Sequence, residues 1–364
     1  MDNSNKFRTD FKYYKQKCPL PDLNKVLDFS NIIAESAVQS IKAVEDEYVK
    51  IKSEEENFIA SLMLPPSEWN IYELKDNPGL LFIRNPFTPI GQRFWIYRCL
   101  HDYTRKPNRL NIDAHNILDS SKNWWNISQR EDQESLRKKL RWATLGYHHN
   151  WDTKAYSENA KDPFPSELAV LAKYVGRIVG CHNNFSAEAA IVNFYHFDST
   201  LSGHTDHSEE DMSAPLFSFS FGQTAIFLLG GKSLEEAPTA MYIKSGDIVI
   251  MSKHSRECYH GIPKIVAAQE FPWNIFQNSN RPSANLGGQK SSEDCPYPPC
   301  KKTHTDSTEN LNEKQTSIKQ ERKNLIDNIL KEEFWSPFHR YIEQSRINMN
   351  VRQVLCKNHV GLST

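Results

Sequence analysis

TAMYIKSGDIVIMS, residues 239–252, decides how this chain is read. Two apolar runs flank Ser245-Gly246-Asp247, a turn sequence with glycine at its centre, and the pattern predicts a hairpin. The same texture continues outward. AAIVNFYHF (189–197) predicts a strand, and LFSFSF (216–221) alternates. GQT (222–224) turns that run into AIFLLGG (225–231), and HGIPKIV (260–266) and RINMNVRQVL (346–355) complete the set. Short strands joined by turns, without intervening helices, predict a jelly-roll (double-stranded β-helix) rather than a parallel α/β sheet.

Helices are expected around this core. Residues 1–75 predict a helical extension, because Phe7, Phe11 and Tyr14 recur at helical spacing, as do Ile33, Ala37, Ile41, Val44 and Tyr48. SEEEN (53–57) reads as a solvated face or linker, and Pro65-Pro66 as a break. GLLFIRNPF (79–87) has the continuous apolar character of a buried strand, with a helix expected through Trp95 and Leu100. ESLRKKLRW (134–142) and Pro165 to Val179 predict further helices. The fold class expected is therefore α+β: a jelly-roll core with flanking helices and an N-terminal helical extension. Residues 76–364 form one domain, interrupted by a polar, low-complexity insertion at about 268–335, loosely ordered over about 277–310. Cys295 and Cys300 stand in CPYPPC inside it, but no second Cys/His pair of matching spacing supports a zinc site there.

The totals narrow the class. Of 364 residues, 38% are hydrophobic and 24% charged, enough for a sizeable core. The formal net charge is -1, so any surface for nucleic acid must be a local patch. No run approaches the roughly 18 apolar residues that a membrane span needs, so no membrane partner is expected. The 7 cysteines are odd in number and widely spread, and no secretory h-region follows Met1. An intracellular, reducing compartment is expected, whether nucleus, cytoplasm or mitochondrion. The sequence sets no oligomeric state.

The chemistry is concentrated in GHTDHSE (203–209). His204 and Asp206 are two apart, so on an extended backbone both leave the same face. His260 opens a later strand and is the candidate third ligand. Two imidazoles and one carboxylate leave open positions on a metal, the arrangement by which non-haem Fe(II) oxygenases bind a bidentate co-substrate and then O2. His207 would face the other way, His254 lies in a turn, and His148 and His149 are adjacent and cannot share one site.

RINMNVR (346–352) puts Arg346, Asn348, Asn350 and Arg352 on one face and Ile347, Met349 and Val351 on the other. At about 3.3 Å per residue the two arginines stand about 20 Å apart, near enough for both to lean toward one small dianion between them. The planar guanidinium suits a carboxylate through paired, charge-assisted hydrogen bonds. An exposed edge strand with a polar outer face is the alternative. Asn193 and Tyr195 share a face of their own strand and offer an amide and a hydroxyl.

Asn193-Phe194-Tyr195, then His204-Thr205-Asp206, then His260, then Arg346 to Arg352, follow one another in an order that resembles the AlkB family of nucleic-acid demethylases. SGDIVIM and HSRECYHGIP also match that family's pattern, and the resemblance covers about 79–266 and 336–356. The interval from His260 to Arg346 is longer than in compact members, and SKHSR replaces a glycine pair; neither touches a proposed ligand.

The resemblance implies Fe(II) on His204, Asp206 and His260, with 2-oxoglutarate as co-substrate. It places Arg346 on the far carboxylate, helped by Tyr195 and Asn348, with Asn350 in the same row and Arg352 and Asn193 nearer the chelating end. It implies methylated bases as substrate: N1-methyladenine or 5-methylcytosine in tRNA, or N6-methyladenine in DNA. The products would be succinate, CO2 and formaldehyde. Trp142 and Tyr147 resemble the base-stacking region, and Glu209 stands where it could meet the base edge. Arg137, Lys138, Lys139 and Arg141 are a candidate phosphate contact. A histone or protein demethylase or hydroxylase on the same iron centre is the competing expectation. A non-catalytic binding module would not need the complete triad and arginine pair.

Overall fold

In the computed structural model every strand pair among the described residues is antiparallel. The structure describes residues 4–32, 37–41, 43, 50–115, 117, 123–181, 185–275 and 306–362, with side chains from 315 onward in the last segment. In chain order the larger elements are α1 (Lys6–Lys15), β1 (Val38–Ile41), α2 (Glu54–Ser61), β2 (Asn70–Leu74), β3 (Leu80–Arg84) and α3 (Pro89–Tyr97). There follow β4 (Arg109–Leu110), α4 (Trp124–Ser128), α5 (Glu134–Lys139), β5 (Trp142–Gly146), α6 (Ser166–Ile178), β6 (Ala189–His196) and β7 (Leu201–His204). The chain continues with β8 (Leu216–Gly222), β9 (Thr224–Leu229), β10 (Thr239–Ile243), β11 (Ile248–Met251) and β12 (His260–Val266). It closes with α7 (Asp306–Ile329), α8 (Glu332–Ile342) and β13 (Ser345–Arg352).

A 9-stranded sheet runs β1-β2-β3-β11-β8-β13-β6-β5-β4, and a 4-stranded sheet runs β10-β9-β12-β7. From β6 to β13 the chain changes sheet at every connection except β9 to β10. This is the jelly-roll arrangement the strand pattern predicts. The expected hairpin at Ser245-Gly246-Asp247 is corrected: the turn is there, with Gly246 at φ 86°, but its arms belong to different sheets. The reason is Asp247, whose carboxylate accepts from the Asn85 N–H at 3.1 Å and the Lys244 N–H at 2.6 Å, steering β11 onto β3.

β13 lies between β8 and β6, so it is no edge strand. Its apolar face, Ile347, Met349 and Val351, packs in the main core with Trp95 of α3, Trp124 of α4, Ile178 of α6 and Trp335 of α8. Its polar face therefore looks the other way, into the space between the sheets.

The expected helical extension is corrected in part. α1 is helical, and its Phe7 and Tyr14 pack on Ile226, Leu228 and Ala240 on the outside of the smaller sheet. Residues 38–41 and 70–74 are strands that extend the larger sheet beyond β3, with β-branched Val38 and Ile71 buried where β3 needs a partner. Ile33, Val44 and Tyr48 lie outside the described residues. SEEEN is no linker: Ser53 caps α2 through the Glu56 N–H at 3.1 Å, and Glu56 turns inward to a buried ion pair with Arg177.

The ends of the low-complexity insertion are also built structure. Buried Arg93 stitches them together, donating to the Trp273 carbonyl at 2.8 Å and the Ile329 carbonyl at 2.9 Å, with its guanidinium over the Trp335 ring. α7 covers 306–310 of the stretch expected to be loosely ordered, while 276–305, with Cys295 and Cys300, lie outside the described residues. No helix among the described residues is long and apolar enough to cross a membrane.

Candidate metal centre and co-substrate pocket

β7 and β12 pair with His204 directly opposite His260, so both imidazoles leave one face, with ring centroids 4.3 Å apart. Asp206 follows two residues past His204. Its Oδ1 lies 3.9 Å from His204 Nε2 and its Oδ2 3.5 Å from His260 Nε2. Ligand atoms from all 3 residues fall within 4.8 Å of one another.

The surroundings prepare these side chains as ligands. His204 Nδ1 lies 2.9 Å from the Ser202 carbonyl, and His260 Nδ1 lies 3.2 Å from the Cys258 carbonyl. A carbonyl only accepts, so each Nδ1 donates its proton there, and each ring is held with its Nε2 toward Asp206. Burial, and then the neighbouring His260, push the His204 imidazole down to about 4, so it is neutral near pH 7. Burial alone would raise the Asp206 carboxyl, but Arg352 and the two imidazoles hold it well below the usual carboxylate range. Arg352 donates to Asp206 Oδ1 at 2.9 Å. Two imidazoles and one carboxylate are the donor set of a non-haem Fe(II) site.

Beside the triad, between the sheets, lies a small enclosed pocket lined by Tyr195, Ser218, His260, Arg346, Asn348 and Asn350, among others. Arg346 is buried. It donates to the carbonyls of Gln223 at 3.2 Å and Ile243 at 3.1 Å, and to Ser220 Oγ at 2.8 Å. Its Nε has no hydrogen-bond partner, nor has the buried Tyr195 hydroxyl. Among the described residues no carboxylate makes an ion pair with Arg346. Burial pulls its guanidinium down to about 10, still a cation near pH 7. Burial pushes the Tyr195 hydroxyl up, so it remains a donor. A buried cation and a buried hydroxyl, each with an unused donor, fit a small dicarboxylate whose other end reaches the triad. Asn348 lines the same pocket, and its amide donates to Ser218 Oγ at 2.8 Å and Ser220 Oγ at 3.2 Å. It thus holds the serine that holds Arg346.

A family model of the 2OG-Fe(II) oxygenase superfamily matches residues 79–352. The chain belongs to this superfamily. It is 43% identical over 272 residues to the mouse protein named nucleic acid dioxygenase ALKBH1, spanning 71% of this chain and 70% of that one. It is 32% identical to the tRNA demethylase abh1 of Schizosaccharomyces pombe, over 73% of this chain and 87% of that one. To the DNA N(6)-methyladenine demethylase ALKBH1A of Arabidopsis thaliana it is 29% identical, over 93% and 90%.

This oxygenase has a second, open cavity of about 480 Å³ on the outer side of the triad. Its lining includes His149, Trp151, Asn193, His204, Asp206 and Arg352. Asn350 lines both spaces and forms part of the wall between them. Of the residues expected at the substrate, Trp142 stands opposite Asn193 on the neighbouring strand and packs against Trp151, with centroids 5.1 Å apart.

Two expectations are corrected. Tyr147 is 1% exposed, packs on Ala189, Val354 and Leu355, and donates its hydroxyl to Glu158. Glu209 is buried against Arg256 at 2.7 Å, and also meets Arg352 and the Tyr156 hydroxyl. Two cations and a hydroxyl occupy it, so no oxygen is presented to a base.

The candidate phosphate contacts are also partly engaged. Arg137 donates to the Ser128 and Arg130 carbonyls, Lys138 pairs with Glu134 at 2.7 Å, and Arg141 donates to Ser199 Oγ.

Sequence reading passed over two residues. Trp151 is 47% exposed at the cavity mouth, its ring 4.6 Å from His149. Arg256, inside the HSRECYHGIP stretch, is buried and donates to the Asp206 carbonyl at 2.8 Å while pairing with Glu209. A buried arginine among polar neighbours leaves no periodic trace in sequence; its signal was the motif alone.

Proposed function

We propose that the chain oxidises methylated bases in nucleic acid, most readily N1-methyladenine or 5-methylcytosine in tRNA, or N6-methyladenine in DNA. The observation that carries this reading is the pairing of two spaces at one triad: an enclosed pocket holding a buried cation with an unused donor, and an open cavity lined by His149 and by Trp151, which Trp142 backs. The names of the mouse, fission yeast and Arabidopsis relatives support the choice of nucleic acid.

Fe(II), held by His204, Asp206 and His260, would supply oxygen activation coupled to oxidative decarboxylation of 2-oxoglutarate. The chain's own residues arrange the rest. Arg346 and Tyr195 anchor the far carboxylate, and Asn348 and Ser220 keep Arg346 aimed. Arg352 orients the Asp206 carboxylate, while Arg256 fixes its backbone. Apolar Leu216, Phe227, Val249 and Met251 keep water from the co-substrate. On the open side a methylated base must leave its stack to reach the triad, and an aromatic rim can replace that stacking. Hydroxylation of an N-methyl group leaves a carbinolamine that releases formaldehyde.

The test is succinate formation with methylated tRNA, methylated DNA or methylated histone peptide as stimulant. Stimulation by a methylated nucleic acid is expected; stimulation by peptide alone would contradict the reading. Trp151→Ala is expected to weaken methylated oligonucleotide binding by about 1–3 kcal/mol, the usual worth of a base–aromatic stack. Tyr147→Phe should leave that binding unchanged. Fluorescence anisotropy of labelled oligonucleotides measures both.

A further inference from the structure

Ligand-type side chains gather at a second place, outside the triad. Past β13 the backbone turns at Cys356-Lys357-Asn358-His359: the His359 N–H donates to the Cys356 carbonyl at 3.0 Å, and Asn358 takes φ 69°. Asparagine tolerates that left-handed conformation. The turn brings the Cys356 thiol and the His359 imidazole to one side. Glu210, on the loop that begins with Asp206, adds a carboxylate, with Oε2 3.8 Å from His359 Nδ1. One ligand atom from each of these 3 residues lies within 4.8 Å of the others. The backbone holds the two segments together: the Glu210 N–H donates to the Val354 carbonyl at 2.9 Å, and Gln353 donates to Asp211 at 3.1 Å.

We propose that Glu210, Cys356 and His359 form a second metal site, for a zinc-class divalent ion. A thiolate, an imidazole and a carboxylate together suit a borderline-soft ion and disfavour Mg²⁺ or Ca²⁺. Three protein ligands leave a fourth position for solvent, and the partly exposed His359 and Glu210 side chains give the ion a way in. The site lies on the same loop as the iron triad, and its occupation ties the C-terminal tail to the segment that carries Asp206 and Glu209. An ion that binds only the folded chain raises its unfolding temperature.

The triad holds no sulfur, which separates the two sites in experiment. The full chain carrying His204→Ala, which keeps its fold, is loaded anaerobically with Co(II). A near-ultraviolet thiolate-to-cobalt charge-transfer band is expected, saturating at about one equivalent. Adding Cys356→Ser should abolish the band, and adding His359→Ala or Glu210→Gln should weaken Co(II) binding about ten-fold or more. Circular dichroism checks that each variant folds. If Cys356→Ser disrupts folding, the His359 and Glu210 variants decide. No band, a band unchanged by Cys356→Ser, or unchanged affinity in the other two variants would overturn the proposal.

Discussion

Arg346→Ala is expected to raise the KM for 2-oxoglutarate about 10- to 100-fold, because a charge-assisted hydrogen bond in a dry site contributes about 1.5–3 kcal/mol. Nucleic-acid affinity should change little, since Arg346 is buried in the enclosed pocket and does not line the open cavity. Arg346→Lys keeps the charge but loses the planar fork, and one ammonium cannot serve Gln223, Ile243 and Ser220 and still face a carboxylate. It should fall between wild type and alanine. The measurement is initial-rate succinate formation across co-substrate concentrations, beside oligonucleotide anisotropy. Equal losses in both would place Arg346 at the substrate instead.

His204→Ala should reduce succinate formation to background while the chain stays folded. One of 3 ligands is lost, and the side chain, 35% exposed, stands at a strand end, where truncation leaves little enclosed void. Asp206→Ala should also abolish turnover, but at a cost in stability. It strips Arg352 of the carboxylate it meets at 2.9 Å and leaves it Glu209 at 3.6 Å, so the cost stays below the about 3–5 kcal/mol of breaking a buried ion pair outright. Thermal unfolding should therefore shift strongly for Asp206→Ala and weakly for His204→Ala. Retained turnover in either would refute the triad.

Much of this site was legible because it is written with a period of two. The Asn193/Tyr195 pair and the row from Arg346 to Arg352 depend only on alternation along strands, whereas Asp206 lies past the end of β7 and still meets His204 and His260. Partner choice between strands does not follow from alternation. The run around Gly246 reads as a hairpin because local turn chemistry is satisfied, yet the Asp247 carboxylate binds Asn85 and sends the arms to different sheets. Tyr147 was misplaced for a related reason. Gly146 ends β5 at φ 70°, where a Cβ would come within 2.1 Å of the Glu188 carbonyl, and that break turns Tyr147 into a satellite core. Glu209 and Arg256 are separated by the whole of β8 to β11, so their buried pair was invisible until the fold closed.

On the proposed function, His204, Asp206 and His260 would hold one ferrous ion beside the enclosed pocket. The most direct measurement is anaerobic titration of the Fe(II)-loaded chain with 2-oxoglutarate, followed by visible absorption. Chelation by the keto-acid should produce a metal-to-ligand charge-transfer band that saturates. His260→Ala should remove the band, and Arg346→Ala should shift its midpoint to higher co-substrate concentration. A band that survives unchanged in His260→Ala would contradict the account.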